Sequence, residues 1–203
     1  EPPKDAVVLF DGTGMDKWKK PNGKPCGWKL VDENAMQIVP GKGSIVSTED
    51  FGDQRIHLEF STPFMPKARA QGRGNSGVYV QGLYEVQILD SYGLAGRNNE
   101  CGGVYSVAAP RVNMCAPPGY WQTYDIVFHA PRFDKNGKKT KDGLMTVWHN
   151  GVKVHDNVQL PHPTTAHMRR DIHGAGPIYL QDHGTPVRYR NIWVKELGNA
   201  EGR

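Results

Sequence analysis

The sequence offers no amphipathic helix. Nowhere in its 203 residues do apolar side chains recur at i, i+3, i+4 and i+7 over a helical length, which leaves an all-β chain. It also has no apolar run near the roughly 18 residues that a membrane-crossing helix needs. Cysteine is sparse at 3, too few for a disulfide scaffold. Cys101 and Cys115 either bridge the irregular stretch between them or remain two buried thiols. A bridge there would contribute on the order of 3 kcal/mol. Cys26 is left single in both cases. A chain of this length buries roughly 70 % of its unfolded surface, so one domain over 1–203, with its core at about 7–197, folds without disulfide or metal.

Basic charge is not concentrated either. The net charge is +4, and the densest group, Lys135, Lys138, Lys139 and Lys141, surrounds an Asn136-Gly137 turn that reads as an exposed loop tip. No interleaved aromatics make it a nucleic-acid strip, so no nucleic-acid partner is expected. His162, His167 and His173 share a loop at spacings that match no zinc pattern. There is no Asp-x-Asp-x-Asp-Gly calcium loop and no Gly-x-Ser-x-Gly nucleophile elbow. No cofactor is expected, and a loosely held divalent ion on loop carboxylates is the metal reading left open. Gly12-x-Gly14 lacks the third glycine and following helix of a dinucleotide fingerprint. The chain begins Glu-Pro-Pro-Lys-Asp without methionine, as expected of a mature form after signal removal or of a trimmed chain.

What is present is a series of short strands. Gly 24 and Pro 15 against 37 % apolar residues suit a loop-rich β protein. Strand patterns fall at 7–10, 28–31, 35–39, 44–47, 55–60, 121–130, 144–149, 152–155, 178–182 and 187–195, and Asn150-Gly151 predicts a type I′ hairpin turn. Many short strands with frequent turn signals predict a sandwich or barrel. The hairpin over 74–92, turning at Gly82-Leu83, is the most informative stretch. Tyr84, Val86 and Ile88 share one parity, while Glu85 and Gln87 take the other, so a carboxylate and an amide share the polar face. Such a face is either solvated or a ligand floor, and Asn75, Tyr79, Gln81 and Asp90 nearby favour the floor. Arg55 to Phe60 alternates in the same way and turns His57 and Glu59 outward. Residues 63–73, with Lys67, Arg69 and Arg73, are a candidate rim. The irregular stretch 93–120 reads as a ligand-shaping loop carrying Tyr92, Tyr105 and Tyr120, with Trp121 just after it. Such aromatics and amides suit a carbohydrate.

Several motifs together resemble a known family. They are Leu9-Phe-Asp-Gly, Gly74-Asn-Ser-Gly-Val-Tyr, Tyr84-Glu-Val-Gln-Ile-Leu-Asp-Ser, Trp121-Gln-Thr-Tyr-Asp, Asn150-Gly-Val, Gly176-Pro-Ile-Tyr-Leu-Gln-Asp-His-Gly and Val187-Arg-Tyr-Arg-Asn-Ile-Trp. Over about 7–197 the chain is similar to the 3-keto-disaccharide hydrolase family. The resemblance implies a concanavalin A-like jelly-roll β-sandwich of two antiparallel sheets in a secreted or periplasmic bacterial protein. It also implies action on sugars oxidised at C3, by C2-proton abstraction and β-elimination followed by hydration. On that expectation Glu85 or Asp90 is the base and His183 assists the leaving group. Arg188 or Arg190, with Gln181, holds the enolate or hydroxyls. Asn75, Tyr79, Gln87, Glu59, His57 and Trp121 complete the expected sugar contacts. Direct hydrolysis by two carboxylates is the other chemistry. A carbohydrate-binding module without catalysis is the alternative function, and a structural surface protein the third.

Overall fold

The structure is a computed structural model that describes residues 1–198; residues 199–203, the end of the expected domain, lie outside the described residues. In chain order the strands are β1 (Val7–Phe10), β2 (Trp18–Lys19), β3 (Lys29–Val31), β4 (Ala35–Gln37), β5 (Ile45–Phe51), β6 (Gln54–Ser61), β7 (Asn75–Val80) and β8 (Tyr84–Leu89). They continue as β9 (Gln122–His129), β10 (Arg132–Phe133), β11 (Lys139–Lys141), β12 (Gly143–His149), β13 (Val152–Leu160), β14 (Gly176–Leu180) and β15 (Arg188–Glu196). Among the described residues the helical content is a single 3₁₀ turn, Ala70–Gly72. The larger sheet runs β13-β12-β9-β6-β15-β4-β3, with β1 also on β15, and the smaller runs β2-β5-β14-β7-β8. All pairings between these strands are antiparallel, so the chain is a concanavalin A-like jelly-roll sandwich with a small β10–β11 hairpin attached.

Alternation along the strands puts the core between the sheets. Ile56, Leu58 and Phe60 of β6 and Tyr124, Ile126 and Phe128 of β9 meet Val78, Val80, Tyr84, Val86 and Ile88 of the smaller sheet. Two hydroxyls cross this core. Tyr189 donates to Ser76 Oγ at 2.6 Å, and Tyr124 donates to the Gln87 carbonyl at 2.6 Å. Both link the inner side of β7 and β8 to the opposite sheet. Cys101 and Cys115 are buried and unbridged, the first hydrogen-bonded to the Tyr124 hydroxyl at 3.2 Å and the second to the Leu89 carbonyl at 3.5 Å, so the two-thiol alternative describes them.

Two details of register differ from the sequence reading. The β7–β8 turn centres on Gln81-Gly82, both left-handed (φ 54° and 66°), one residue earlier than expected. Leu83 N donates to Val80 O, and the ladder closes at Val80↔Tyr84, which sets Tyr79 opposite Glu85 and Gly77 opposite Gln87. On β15 the pairing slips between Arg190 and Trp193, where Asn191 is left-handed (φ 47°). That bulge turns Arg188 and Arg190 outward while Ile192 and Val194 stay in the core. Asn150-Gly151 forms the expected hairpin turn, with φ of 50° and 78°.

Candidate active site

The outer face of β14-β7-β8 forms a polar floor. Row by row it carries Tyr179, Tyr79 and Glu85, then Gln181, Gly77 and Gln87, with Asn75 beyond. Glycine at 77 is required by space: a Cβ there would lie 2.2 Å from Glu85 Oε1, because the glutamate folds across β7. Four pieces of chain wall the floor. The segment Gly102–Tyr105 runs along the open edge of β8, with Gln87 N to Gly103 O at 2.9 Å, Gly102 N to Gln87 O at 3.0 Å and Tyr105 N to Glu85 O at 3.1 Å. Loop 161–175 closes the hairpin end, where Thr164 Oγ1 accepts from Glu85 N at 2.9 Å and Thr165 shares a hydrogen bond with Ser106 at 3.1 Å. The Ala70–Gly72 turn and the loop after β14 supply Gln71 and His183. They enclose a cavity of about 100 Å³ lined by Asn75, Tyr79, Glu85, Gln87, Gln181 and His183 together with Gln71, Tyr105, Thr165 and Ala166.

Glu85 is 3 % exposed. Burial raises its pKa to about 8, against the opposing hydrogen bond from the Tyr79 hydroxyl. Tyr79 is held well above the usual phenol range, first by burial and then by the Glu85 charge. Its ring packs edge-on to Tyr179 at 5.0 Å, and its oxygen accepts from Gln181 Nε2 at 3.3 Å. The exposed His183 imidazole makes no hydrogen bond with the described residues. The cavity therefore pairs one buried carboxyl, titrating near neutrality, with an unengaged imidazole at its mouth.

The other expected site residues lie elsewhere, and this corrects the single-cleft expectation. His57, Glu59, Trp121, Arg188 and Arg190 belong to the outer side of the larger sheet, across the core from Glu85. There Arg190 Nε binds Glu59 at 2.7 Å, Asn191 binds Glu59 at 3.0 Å, and the Arg190 guanidinium lies 4.1 Å from the centre of the Trp121 ring. Arg188 pairs with Glu33 at 2.8 Å, and His57 stacks on Trp193 and contacts Asp125. Burial pushes Glu59 up, but the bonds from Asn191 and Arg190 outweigh it and hold its pKa below the ordinary value. The charged members of this group are paired on their own face, Trp121 Nε1 is buried without a hydrogen-bond partner among the described residues, and none of the five lines the cavity. Alternation shows that a residue faces outward, but not from which of two sheets. Asp90 is likewise outside the cavity. It lies past the end of β8 in a second cavity of about 200 Å³, with Phe64, Arg69, Arg73 and Tyr92, on the other side of the Ala70–Gly72 turn.

Gln71, Thr165 and Ala166 carried no sequence signal beyond membership of irregular stretches, whereas Tyr105 belonged to the loop expected to shape a ligand. Among the described residues no group of three or more His, Cys, Asp or Glu is placed to hold a metal ion.

A search of curated proteins gives no match. Among solved structures, the chain is similar to a candidate glycosyl hydrolase from Parabacteroides distasonis, at 36 % identity over 96 % of this chain and 85 % of that one, with a TM-score of 0.88. A second candidate glycosyl hydrolase from that organism is 22 % identical over 95 % and 94 % of the two chains, with a TM-score of 0.68. The carbohydrate-binding module CBM66 from Bacillus subtilis shares the fold at 12 % identity, over 94 % and 99 %, with a TM-score of 0.53. The model of the 3-keto-α-glucoside-1,2-lyase-like domain matches residues 5–195. Floor, walls and, but for the last residue of β15, both sheets fall within that match, and the chain belongs to the 3-keto-α-glucoside-1,2-lyase-like family.

Proposed function

We propose that the protein is a lyase that cleaves 3-keto-glycosides by elimination across C1 and C2, with Glu85 as the base. The observation that carries this reading is that Glu85 is, among the described residues, the one carboxylate lining the cavity. Hydrolysis by a pair of carboxylates needs a second one across the scissile bond. Elimination needs a single base, because a ketone at C3 already acidifies the C2 proton. The family to which the chain belongs supports the same chemistry.

In this reading the ionised Glu85 takes the proton from C2, and the electron pair of that bond passes into an enediolate over C2 and C3. That pair then forms the C1=C2 double bond and expels the C1 oxygen. His183 gives the departing oxygen its proton, and the alcohol leaves. Tyr79 and Gln181 hold the Glu85 carboxyl in line, and Tyr105 closes the side of the cavity. A carboxyl with a pKa raised to about 8 is a stronger base than an ordinary glutamate and still ionises near neutral pH. Water adding later across C1=C2 would give the free 3-keto sugar, so that net hydrolysis takes two steps.

The test is incubation with 3-keto-trehalose and, separately, with trehalose. Release of glucose and a 1,2-unsaturated 3-keto sugar from the oxidised substrate alone is the expected result. Equal release from trehalose would refute the keto requirement. Saturable binding without any release would make the chain a carbohydrate-binding module.

A further inference from the structure

The cavity across the Ala70–Gly72 turn from Glu85 shares no lining residue with the Glu85 cavity. Its walls are largely apolar: Phe64, Met65, Pro66 and Ala68 come from the loop before the turn, and Pro118 from the stretch before β9. Both walls are pinned by backbone oxygens. Arg69 Nη1 donates to Pro66 O at 2.9 Å and to Ala68 O at 2.8 Å, and Ala68 N donates to Met65 O at 3.0 Å, so the first wall closes on itself. Gly119 N donates to Thr62 O at 2.8 Å and ties down the piece that carries Pro118. Two aromatic rings stand in solvent on this lining, Phe64 at 74 % exposed and Tyr92 at 57 %.

Asp90 lines the same cavity although it is only 9 % exposed. Its backbone is fully engaged: its N–H donates to Gly74 O at 2.8 Å, and its carbonyl accepts from Arg73 Nη1 at 3.2 Å. Its side-chain oxygens take no hydrogen bond and form no ion pair among the described residues. A carboxylate only accepts, and one sunk this deep without donors is costly to keep. The fold thus leaves an acceptor unmatched at the base of an apolar-walled, aromatic-rimmed hollow.

We infer that this hollow is a second binding site, for a neutral phenolic ring whose hydroxyl donates to Asp90 and whose faces lie against Phe64 and Tyr92. The size suits one ring: an engineered apolar cavity of about 150 Å³ takes up benzene, and this one holds about 200 Å³. Arg69 and Arg73 on the lining disfavour a cation, and Asp90 disfavours an anion. A sugar would bury most of its hydroxyls against Phe, Met, Pro and Ala side chains, which cannot answer them. The inference stands apart from the lyase reading, because no residue of the Glu85 cavity takes part in it.

The test is titration of the isotope-labelled protein with para-methylphenol, followed through its amide resonances. Saturable shifts are expected, largest at residues 64–69 and 90–92 rather than at Glu85 and Gln87. In para-methylanisole a methyl group caps the hydroxyl, and the affinity should fall by about tenfold or more, as expected for a lost hydrogen bond to a charged acceptor. Asp90→Asn removes that charge without orphaning a protein donor, and should shrink the preference for the phenol severalfold. Phe64→Ala alters a side chain that is mostly in solvent, and should weaken both ligands alike while keeping the preference. Equal affinities for the two ligands in the parent protein would refute the role of Asp90. No saturable shift, or shifts centred on Glu85, would overturn the site itself. Methyl glucoside moving the same resonances at lower concentration than the phenol would overturn the aromatic class.

Discussion

Replacing Glu85 with Gln should make the protein more stable at alkaline pH and leave it almost unchanged at acid pH. The carboxyl ionises at about 8 in the fold, against 4.5 for the ordinary group. The folded state therefore holds the proton more tightly than the unfolded chain. The stability this confers is complete below 4.5 and is lost as pH rises through 8. Between pH 5 and pH 9 the loss amounts to about 4 kcal/mol. Glutamine has nearly the same shape and no charge to desolvate, so Glu85→Gln should lack this loss. For a chain of this length, 1 kcal/mol moves Tm by about 2–4 °C, so the variant should exceed the parent by about 8–16 °C at pH 9 and match it near pH 5. Thermal unfolding of both proteins at pH 5, 7 and 9 measures the difference directly. Asp53 and Glu59 are held below their ordinary pKa values, lose stability on the acid side instead, and are common to both proteins. Parallel Tm profiles would refute the reasoning, because they would mean that no carboxyl at 85 is ionised at a cost. A gain at pH 9 would show that the base is kept at the expense of stability.

On the activity side, kcat/KM towards a 3-keto-glycoside should rise with pH through a limb near 8, and Glu85→Gln should reduce it about 10²–10⁴-fold, as measured by product release. Tyr79→Phe removes a hydrogen bond that lowers the Glu85 pKa, so the limb should move to higher pH in the same assay. Gly77→Ala places a methyl group where Glu85 Oε1 now lies. It should cost about 1–3 kcal/mol in denaturant unfolding and depress kcat beyond what lost stability explains. Arg190→Met breaks the pair with Glu59 on the far sheet, and should cost about 1 kcal/mol or less while leaving kcat intact.

Much of the cavity floor was legible because the sheet has a period of two. Glu85 and Gln87 announced themselves as polar residues inside an apolar strand, and the family motifs brought in Gln181 and His183. Period alone could not show that His57 and Glu59, equally polar and equally outward, face away from the other side of the sandwich. Nor could it resolve the turn, where a shift of one residue from Gly82-Leu83 to Gln81-Gly82 decides whether Tyr79 meets Glu85. Arg188 and Arg190 depended on a bulge at Asn191, a local backbone event with no fixed sequence mark. Gln71 sits in a loop, and what ties it to the cavity is its side-chain bonding with Asn75, Gln87 and Asn99, which no local pattern encodes.

The segment 102–105 serves two purposes with one set of bonds. It caps the free edge of β8, which would otherwise present unpaired backbone groups to a neighbouring chain. It is also the side of the cavity that carries Tyr105. That side cannot swing away as a hinged flap without unzipping the backbone bonds to Glu85 and Gln87, so access to the cavity does not run through it. The amide protons of Gln87, Gly102 and Tyr105 should then exchange with solvent as slowly as those of interior strands, making the reactive cavity one of the stiffest parts of the molecule.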